Sequence, residues 1–288
     1  MRRRKRVESR KLQKVGYSTI TVSLPNAWVK QNNVKAGDLV FVLPERDGSL
    51  RIIPSEIAQR EEAEEYVINA DACSEQGMLE RIIVGSYILG RDVMRVTAKE
   101  RIGKEHTDEI RRIVRKLIGL GILEETPNNI LLQCSVDPTK FKLDMLVRRL
   151  SLIASTILTE ATQALVEKND ALAEEAINRE DEADMIYYLA VRLLLSAQAK
   201  PEIAEQLGFS DLLFIPATRL ILQYLELIAD YSEDVARDVL SLNVYRSRVP
   251  AECVDRMKDL SSWRRRFFRR LLIAFLRVIW RLRTDCWR

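Results

Sequence analysis

The chain has 288 residues, 47% of them hydrophobic and 31% charged, and it carries a formal net charge of +4. At this length two or three folding units with apolar cores are expected, and a wholly disordered chain is excluded. The charge is unevenly placed: residues 1–59 carry a net +7, residues 246–288 a net +9 and the remainder a net −12, which predicts polyanionic partners for the two ends and cationic partners for the centre.

The first part of the chain, residues 1–56, is predicted to be a small β domain. Stretches of β-branched residues with near-alternating polarity predict strands, while Pro25 and the Asp47-Gly48 pair mark a strand end and a hairpin turn. The predicted strands cover residues 10–14, 18–23, 39–43 and 50–54, and a short helix covers residues 27–31. Short strands in this number bury too little surface for a stable core, so dimerisation is expected.

The segments RKLQKVGYSTITVSLPNAW and NNVKAGDLVFVL resemble the swapped-hairpin DNA-binding domain of the AbrB/SpoVT family, over residues 8–54. The resemblance implies that two chains interleave their hairpins into one dimeric β-barrel, and that basic residues of the first strand and the N-terminal arm contact DNA. Clustered Lys and Arg release counterions from phosphates, which gives salt-sensitive affinity without base-specific contacts. The candidate DNA-binding residues are Arg2, Arg3, Arg4, Lys5, Arg6, Arg10, Lys11 and Lys14. Alternatively, the β domain only dimerises, or the basic arm is a solvated tail.

Residues 60–137 are predicted to form a small α/β spacer domain, because strand-like and helix-like patterns alternate along them. Strands are predicted over residues 66–71, 92–99 and 128–136, and helices over residues 77–90 and 106–120. Gly90 and Gly121 are interpreted as helix C-caps, and the glycines of this region do not follow a phosphate-binding loop pattern. We expect a spacer or dimerisation module that fixes the distance between the flanking domains.

Residues 138–288 are predicted to be mainly helical. The first helix carries Leu and Ile at the three- and four-residue spacing of a bundle seam, from Leu143 to Ile157. Two further long helices are expected over residues 171–198 and 216–242. Three helices of this length predict an antiparallel α-helical bundle. The predicted fold class is therefore α+β multidomain: an N-terminal swapped-hairpin β-barrel, a small α/β spacer and a C-terminal bundle.

Two carboxylate pairs stand on the second and third helices of this bundle. Glu180 and Asp184 lie four residues apart, as do Glu226 and Asp230, so each pair shares one helix face. A helical wheel places the second pair opposite an apolar stripe and the first pair at the edge of its stripe, so the carboxylates are expected to face outward or into a groove. The stripe opposite the second pair consists of Ile221, Tyr224, Ile228 and Val235.

Like charges at this spacing repel unless a cation joins them. Carboxylate oxygens suit Mg²⁺, Ca²⁺ or Mn²⁺, and iron is a further candidate. The four residues are therefore candidate ligands of a divalent metal or iron. Charged residues four apart are also common on any solvated helix face, and this alternative stays open.

The sequences that contain the two pairs are INREDEADMIYYLAVRLL and YLELIADYSEDVA. They resemble the two signature helices of one PhoU-family repeat, over roughly residues 140–245. The resemblance implies metal clusters held by Glu/Asp-x-x-x-Asp pairs on the bundle surface, and modulation of phosphate uptake by the high-affinity phosphate transporter. The family normally has two tandem three-helix repeats, whereas only one repeat is recognisable in this sequence. A missing second repeat would leave fewer metal sites.

The final segment, residues 261–288, has a composition foreign to the preceding helices, with no lysine and one acidic residue, Asp285. It could form a basic amphipathic helix on a membrane surface or an acidic partner. A disrupted reading frame near Tyr245 accounts for it equally well, and no function is assigned to it. Its longest uninterrupted apolar stretch, Leu271 to Leu276, is far shorter than a membrane-spanning helix, so an integral membrane segment is not expected. No apolar signal region follows the basic arm, and a cytoplasmic location is expected.

Enzymatic activity is not expected. The four cysteines lie far apart without a CxxC pair and are interpreted as buried or inert thiols, and His106 is the only histidine. Zinc ribbons, dithiol redox sites and His-based catalytic triads therefore lack their parts. A hydrolase that activates water on a carboxylate-bound metal is a third alternative, but the sequence shows neither a pocket-forming motif nor an oriented base for it.

The order of segments resembles fused phosphate-uptake regulators found in archaea. This resemblance implies a cytoplasmic, dimeric, metal-responsive transcriptional regulator of phosphate uptake, with DNA, a second copy of the chain, and a phosphate transporter ATPase or a phosphate-sensing histidine kinase as partners. The alternative is an adaptor that never binds DNA, docks on a phosphate ABC transporter and inhibits it, and uses its β domain only to dimerise.

Overall fold

The computed structural model of the chain describes residues 8–44, 48–55, 65–209, 211–242 and 248–259, together with residues 245, 262 and 270. The chain divides into two compact units, residues 1–64 and residues 65–288. The described part confirms the predicted α+β class, with short antiparallel strands first, an α/β region next and a helical bundle last. The basic arm over residues 2–6 and nearly all of the tail over residues 261–288 lie outside the described residues.

Two β-hairpins and a short helix make up the described part of the first unit. Strand β1 (Gln13–Val15) pairs antiparallel with β2 (Thr19–Thr21), so the first strand begins three residues later than predicted. Gly16 permits the tight turn between them, because its positive φ of 66° is unfavourable for other residues. Helix α1 (Asn26–Gln31) follows. The second hairpin joins β3 (Val40–Pro44) to β4 (Leu50–Pro54), as the sequence predicts.

The two hairpins of a single chain remain separate two-stranded sheets. The predicted closed barrel is therefore not formed by the described residues of one chain. Among these residues only Pro54 is buried, and large apolar side chains are exposed on or beside both hairpins. The exposed set includes Leu12, Val15, Ile20, Val22, Phe41, Val42, Leu43 and Leu50. Isolated two-stranded hairpins are marginally stable in water, so these faces need another apolar surface.

The α/β region of the second unit is a four-stranded sheet with two helices. Its elements are β5 (Tyr66–Asn69), α2 (Met78–Ile88), β6 (Val93–Thr97), α3 (Lys104–Lys116), β7 (Leu120–Thr126) and β8 (Asn129–Cys134). The strand order is β5-β6-β8-β7, with β5 and β6 parallel and the other pairs antiparallel. The core between helices and sheet includes the fully buried Ile83, Tyr87, Met94, Ile110 and Ile113.

Among the described strands, β7 is the one that the sequence did not predict. The helix predicted over residues 106–120 ends at Lys116, and the chain turns at Gly119, whose φ is +78°. A Cβ at Gly119 would lie 2.6 Å from Val136, so the close approach also requires glycine. Gly121 lies within β7, and its assignment as a helix C-cap was wrong. Gly90, with φ of +84°, does end α2, and its N–H donates to the carbonyl of Tyr87.

The helical bundle contains three long helices among the described residues. They are α4 (Leu143–Glu167), α5 (Asp170–Ala199) and α7 (Phe214–Leu242), and the short helix α6 (Pro201–Gln206) follows α5. Lys168, with φ of +55°, ends α4, and the Asn169 side chain accepts hydrogen bonds from the first backbone N–H groups of α5. This short link makes α4 and α5 antiparallel. Each long helix packs against the other two around a core of Leu, Ile and Ala.

The core face of α7 differs from the face predicted by the helical wheel. It is formed by Leu222, Leu225, Ala229 and Ala236, which are fully or almost fully buried. Residues of the predicted stripe lie at the margin of this face, and the Tyr224 side chain is 54% exposed. The carboxylates of α7 therefore flank the core face instead of lying opposite it, and they are partly buried.

A buried arginine joins the bundle to the α/β region. Arg192 of α5, with 4% of its surface exposed, donates hydrogen bonds to the carbonyl oxygens of Tyr87 and Arg91 and pairs with Asp92. Its guanidinium also lies over the Tyr87 ring, 4.8 Å from the ring centroid. The Tyr87 hydroxyl in turn donates to the carbonyl of Ile118, 2.9 Å away. The Arg192 bonds fix α5 against the C-terminal end of α2, and the Tyr87 hydroxyl joins α2 to the segment that follows α3.

Burial is observed for two of the three described cysteines, and Cys286 lies outside the described residues. Cys73 and Cys134 are buried, whereas Cys253 is exposed. Burial raises the pKa of both buried thiols, so they are poorly ionised. Among the described residues, none of the helices has both the length and the apolar character needed to cross a membrane.

Replacement of Arg192 by Met is expected to lower the free energy of unfolding by about 3 kcal/mol, because two carbonyl groups lose a charged donor in a buried site. Arg149→Met provides the control, since Arg149 makes an exposed pair with Glu182 whose loss should cost under about 1 kcal/mol. Urea denaturation followed by circular dichroism measures both values. Equal stabilities of the two variants would contradict the role given to Arg192.

Candidate functional site

Helices α5 and α7 bring three carboxylates together at the side of the bundle. One carboxylate oxygen from each of Glu180, Asp184 and Asp230 lies within 4.8 Å of the other two. All three residues are partly buried. Glu180 and Asp184 are one helical turn apart on α5, and the packing of α5 on α7 places Asp230 opposite them. The three carboxylates therefore lie where α5 contacts α7 and are partly shielded from solvent.

Burial and mutual repulsion disfavour the ionised form of this cluster. Burial, followed by the charge of Asp184, raises the pKa of the Glu180 carboxyl to about 8. Burial and then Asp184 likewise raise the pKa of Asp230 to about 6. The pKa of Asp184 is also raised, chiefly by burial, although the ammonium of Lys116 opposes the shift. A cation placed among these groups would relieve the repulsion.

The fourth predicted ligand, Glu226, lies beside the cluster in a network of its own. Its carboxylate accepts a hydrogen bond of 2.8 Å from the Gln223 side-chain amide. The amide oxygen of Gln223 accepts hydrogen bonds from Tyr187, at 2.7 Å, and from Arg219, at 3.2 Å. Burial, followed by the charge of Asp230, raises the pKa of Glu226 to about 7. The charge of the cluster therefore affects the pKa of Glu226, although Glu226 is not one of the three converging residues.

Two residues that sequence reasoning missed also surround the cluster. The charge of Glu233, on α7, adds to the repulsion at Glu180, Asp184 and Asp230. Its position three residues after Asp230 is the signal that could have identified it. Lys116, the last residue of α3, brings its ammonium 2.6 Å from Asp181 and 3.7 Å from Asp184. No spacing in the sequence relates Lys116 to α5.

The donor set fits a hard divalent cation. Three carboxylates from two helices converge within the span that a single ion can bridge, and carboxylate oxygens are the ligands preferred by Mg²⁺, Mn²⁺ and Ca²⁺. Partial burial reduces competition from solvent, and the raised pKa values show that the uncompensated charge is unfavourable. The cluster could therefore hold a metal ion.

The candidate DNA-binding residues of the first unit are exposed wherever the structure describes them. Arg10, Lys11 and Lys14 all face solvent, and the Arg10 guanidinium pairs with the carboxylate of Glu8. Lys14 lies in the middle of β1, opposite Ile20 of β2. The five basic residues of the N-terminal arm lie outside the described residues.

Comparison with known families gives two matches, one in each unit. Residues 147–239 match the family model described as PhoU domain, and residues 13–60 match the model described as antidote-toxin recognition MazE, bacterial antitoxin. The two matches confirm the resemblance to a swapped-hairpin domain fused to a PhoU-type helical domain. The first match contains the whole carboxylate cluster, and the second contains both hairpins. No curated protein and no solved structure gives a significant match.

In metal-free protein, stability is expected to fall as pH rises from about 5 to about 8, because the folded state binds protons at Glu180 more tightly than the unfolded state does. Glu180→Gln should flatten this part of the curve, because the substituted amide does not titrate. Thermal melts in chelator-treated buffer between these pH values provide the measurement, with the exposed Glu174→Gln on the same helix as control. Parallel curves for wild type and Glu180→Gln would contradict the raised pKa.

Proposed function

We propose that this chain is a dimeric regulator of phosphate uptake, in which the N-terminal hairpins bind DNA and the helical bundle binds a metal. The presence of a PhoU-type domain and a MazE/AbrB-type domain on one chain supports a phosphate-related regulatory role. The observation that carries the finer proposal is the convergence of three carboxylates inside the PhoU-matching segment. We assign the protein a cytoplasmic, non-enzymatic role.

Dimerisation through the first unit is supported by its exposed apolar surface. Apolar residues of both hairpins, including Val15, Ile20, Phe41 and Val42, are exposed in the single chain. Burial of such side chains contributes about 1.5–3 kcal/mol each, which is a strong driving force for association with a second copy. Two copies would combine four hairpins, and a closed arrangement would remove the unpaired strand edges.

DNA binding is supported by the charge of the same unit. Residues 1–59 carry a net +7, Lys14 is exposed in the first strand, and Arg10 and Lys11 are exposed just before it. In a dimer these residues would occur twice, which doubles the number of phosphates that the protein can neutralise.

The bundle is proposed as the sensor. Glu180, Asp184 and Asp230 would hold the ion, with Glu226 and Glu233 as further acidic groups beside it. When bound, a divalent cation supplies positive charge that neutralises the repulsion among these carboxylates. The carboxylates themselves position the charge at the junction of α5 and α7. The phosphate signal would arrive through this site, or through a transporter ATPase or histidine kinase that contacts the bundle.

The second candidate function is an adaptor that does not bind DNA and that inhibits a phosphate transporter. Two observations favour it. The matching model for the first unit is described by recognition of a toxin, which is a protein partner, and Arg10 is already paired with Glu8. In this case the hairpins serve only for dimerisation.

The DNA-binding proposal predicts that Arg10→Ala/Lys14→Ala weakens binding to double-stranded DNA by roughly tenfold at low salt. It should also reduce the slope of log K against log salt by about 2 to 4, since each dimer loses two to four phosphate contacts. Fluorescence anisotropy over a salt series measures both quantities. Lys99→Ala/Lys142→Ala, which removes the same charge from exposed positions of the second unit, should leave both unchanged. Unaltered affinity and slope in the first variant would favour the adaptor.

The metal proposal predicts that the full chain binds Mn²⁺ and that Asp184→Asn/Asp230→Asn loses this binding, because two of three charged ligands are removed. Equilibrium dialysis with metal analysis measures the bound ion. Glu174→Gln/Asp238→Asn, which removes exposed acidic residues from the same two helices, should bind like wild type. Equal Mn²⁺ content in both variants would show that the cluster is an ordinary solvated helix face and does not bind the metal.

A further inference from the structure

Lys116 places a positive charge from the α/β region at the edge of the carboxylate cluster. Its ammonium lies 2.6 Å from Asp181 and 3.7 Å from Asp184. The Lys116 side chain is 28% exposed and that of Asp184 is 15% exposed, so this contact is partly shielded from solvent. Asp181 is largely exposed, whereas Asp184 is one of the three converging carboxylates.

The position of Lys116 is supported by the core of the α/β region. It is the last residue of α3, and Ile113 and Leu117 on either side of it are buried. Two residues further on, the carbonyl of Ile118 accepts the hydrogen bond from Tyr87. The end of α3 therefore places the Lys116 ammonium beside a cluster whose carboxylates belong to α5 and α7.

The electrostatic balance keeps this lysine charged. Burial by itself lowers the pKa of Lys116, but the hydrogen bond to Asp181 and the charges of Asp184 and Glu180 outweigh it and raise the pKa overall. The effect is mutual, since Lys116 opposes the upward shifts at Glu180 and Asp184. Lys116 thus compensates part of the negative charge of the cluster.

We infer that Lys116 is a tethered counter-cation that competes with the metal for Asp184, so that metal binding releases the end of α3 from α5. The inference rests on the metal site proposed above. A divalent ion beside Asp184 repels the ammonium and takes up the charge that holds it. The competition links the occupancy of the cluster to the contact between the α/β region and the bundle.

A second contact between these regions includes none of the three converging carboxylates and provides a fixed point. Arg192 lies two helical turns beyond Asp184 on α5 and is held by backbone carbonyls and Asp92. Release of Lys116 therefore loosens one end of the contact while Arg192 retains the other. In this way the contact between the α/β region and α5 depends on whether the cluster contains a metal ion.

Linkage makes the inference measurable, because a metal that weakens the Lys116 contact must bind more tightly once that contact is removed. The experiment titrates Mn²⁺ into the full-length chain and follows the free ion by electron paramagnetic resonance. Lys116→Gln should bind Mn²⁺ roughly tenfold more tightly than wild type. Arg115→Gln, which removes an exposed charge from the adjacent position, should change the affinity by less than about twofold.

The outcomes separate this inference from the metal site itself. If wild type binds Mn²⁺ and Lys116→Gln binds it equally or more weakly, competition is overturned while the metal site stands. If neither protein binds Mn²⁺, both are overturned. Tighter binding by Lys116→Gln supports both.

A second measurement on wild type does not depend on the folding of a variant. Hydrogen–deuterium exchange of the amides at residues 113–118 should increase on addition of Mn²⁺, because the end of α3 loses its contact with α5. Exchange in β8 serves as the internal control, since β8 is paired on both sides. Unchanged or slower exchange at residues 113–118 in the metal-loaded protein overturns the inference.

Discussion

The central constraint in this structure is the repulsion among partly buried carboxylates at the junction of α5 and α7. Packing of the two helices brings Glu180, Asp184 and Asp230 within reach of one another, where their charges cannot be fully solvated. A protein can meet this constraint by protonation, by an internal cation or by a bound metal. The raised pKa of Glu180 and the position of Lys116 show the first two responses. The third is the basis of the proposed sensor.

The internal cation ties the chemistry of the bundle to the architecture of the whole second unit. Lys116 comes from the α/β region, and Arg192 fixes that region to α5 through buried hydrogen bonds. The α/β region is thus more than a length of chain between the flanking domains, because it contributes charge to the cluster. The first unit has a different requirement: its hairpins expose apolar residues that a second copy would cover.

Much of the fold could be predicted from the sequence, because local patterns determine it. The heptad-like spacing after Leu143 and the Asp-Gly hairpin signal identify elements without any knowledge of their neighbours. Strand β7 was missed because it begins only four residues after the last residue of α3, and Gly119 marks the turn only through its backbone geometry. The core face of α7 was misplaced because a wheel cannot tell Ile221 at the margin from Leu222 in the core.

The carboxylates of the site were predictable, whereas their surroundings were not. Spacing of four residues identifies the pairs on α5 and α7, but convergence of three and separation of Glu226 depend on how the helices pack. Lys116 lies 64 residues before Glu180 in the sequence and reaches the cluster only because the α/β region packs on α5. Contacts of this kind are tertiary and leave no local pattern.

Anomalous diffraction from crystals of the full chain soaked in Mn²⁺ tests the central claim most directly, because it locates the ion without reference to activity. The account predicts an anomalous peak between Glu180, Asp184 and Asp230, at coordination distance from at least one oxygen of each. A flat map at this position in crystals that hold Mn²⁺ elsewhere would contradict it.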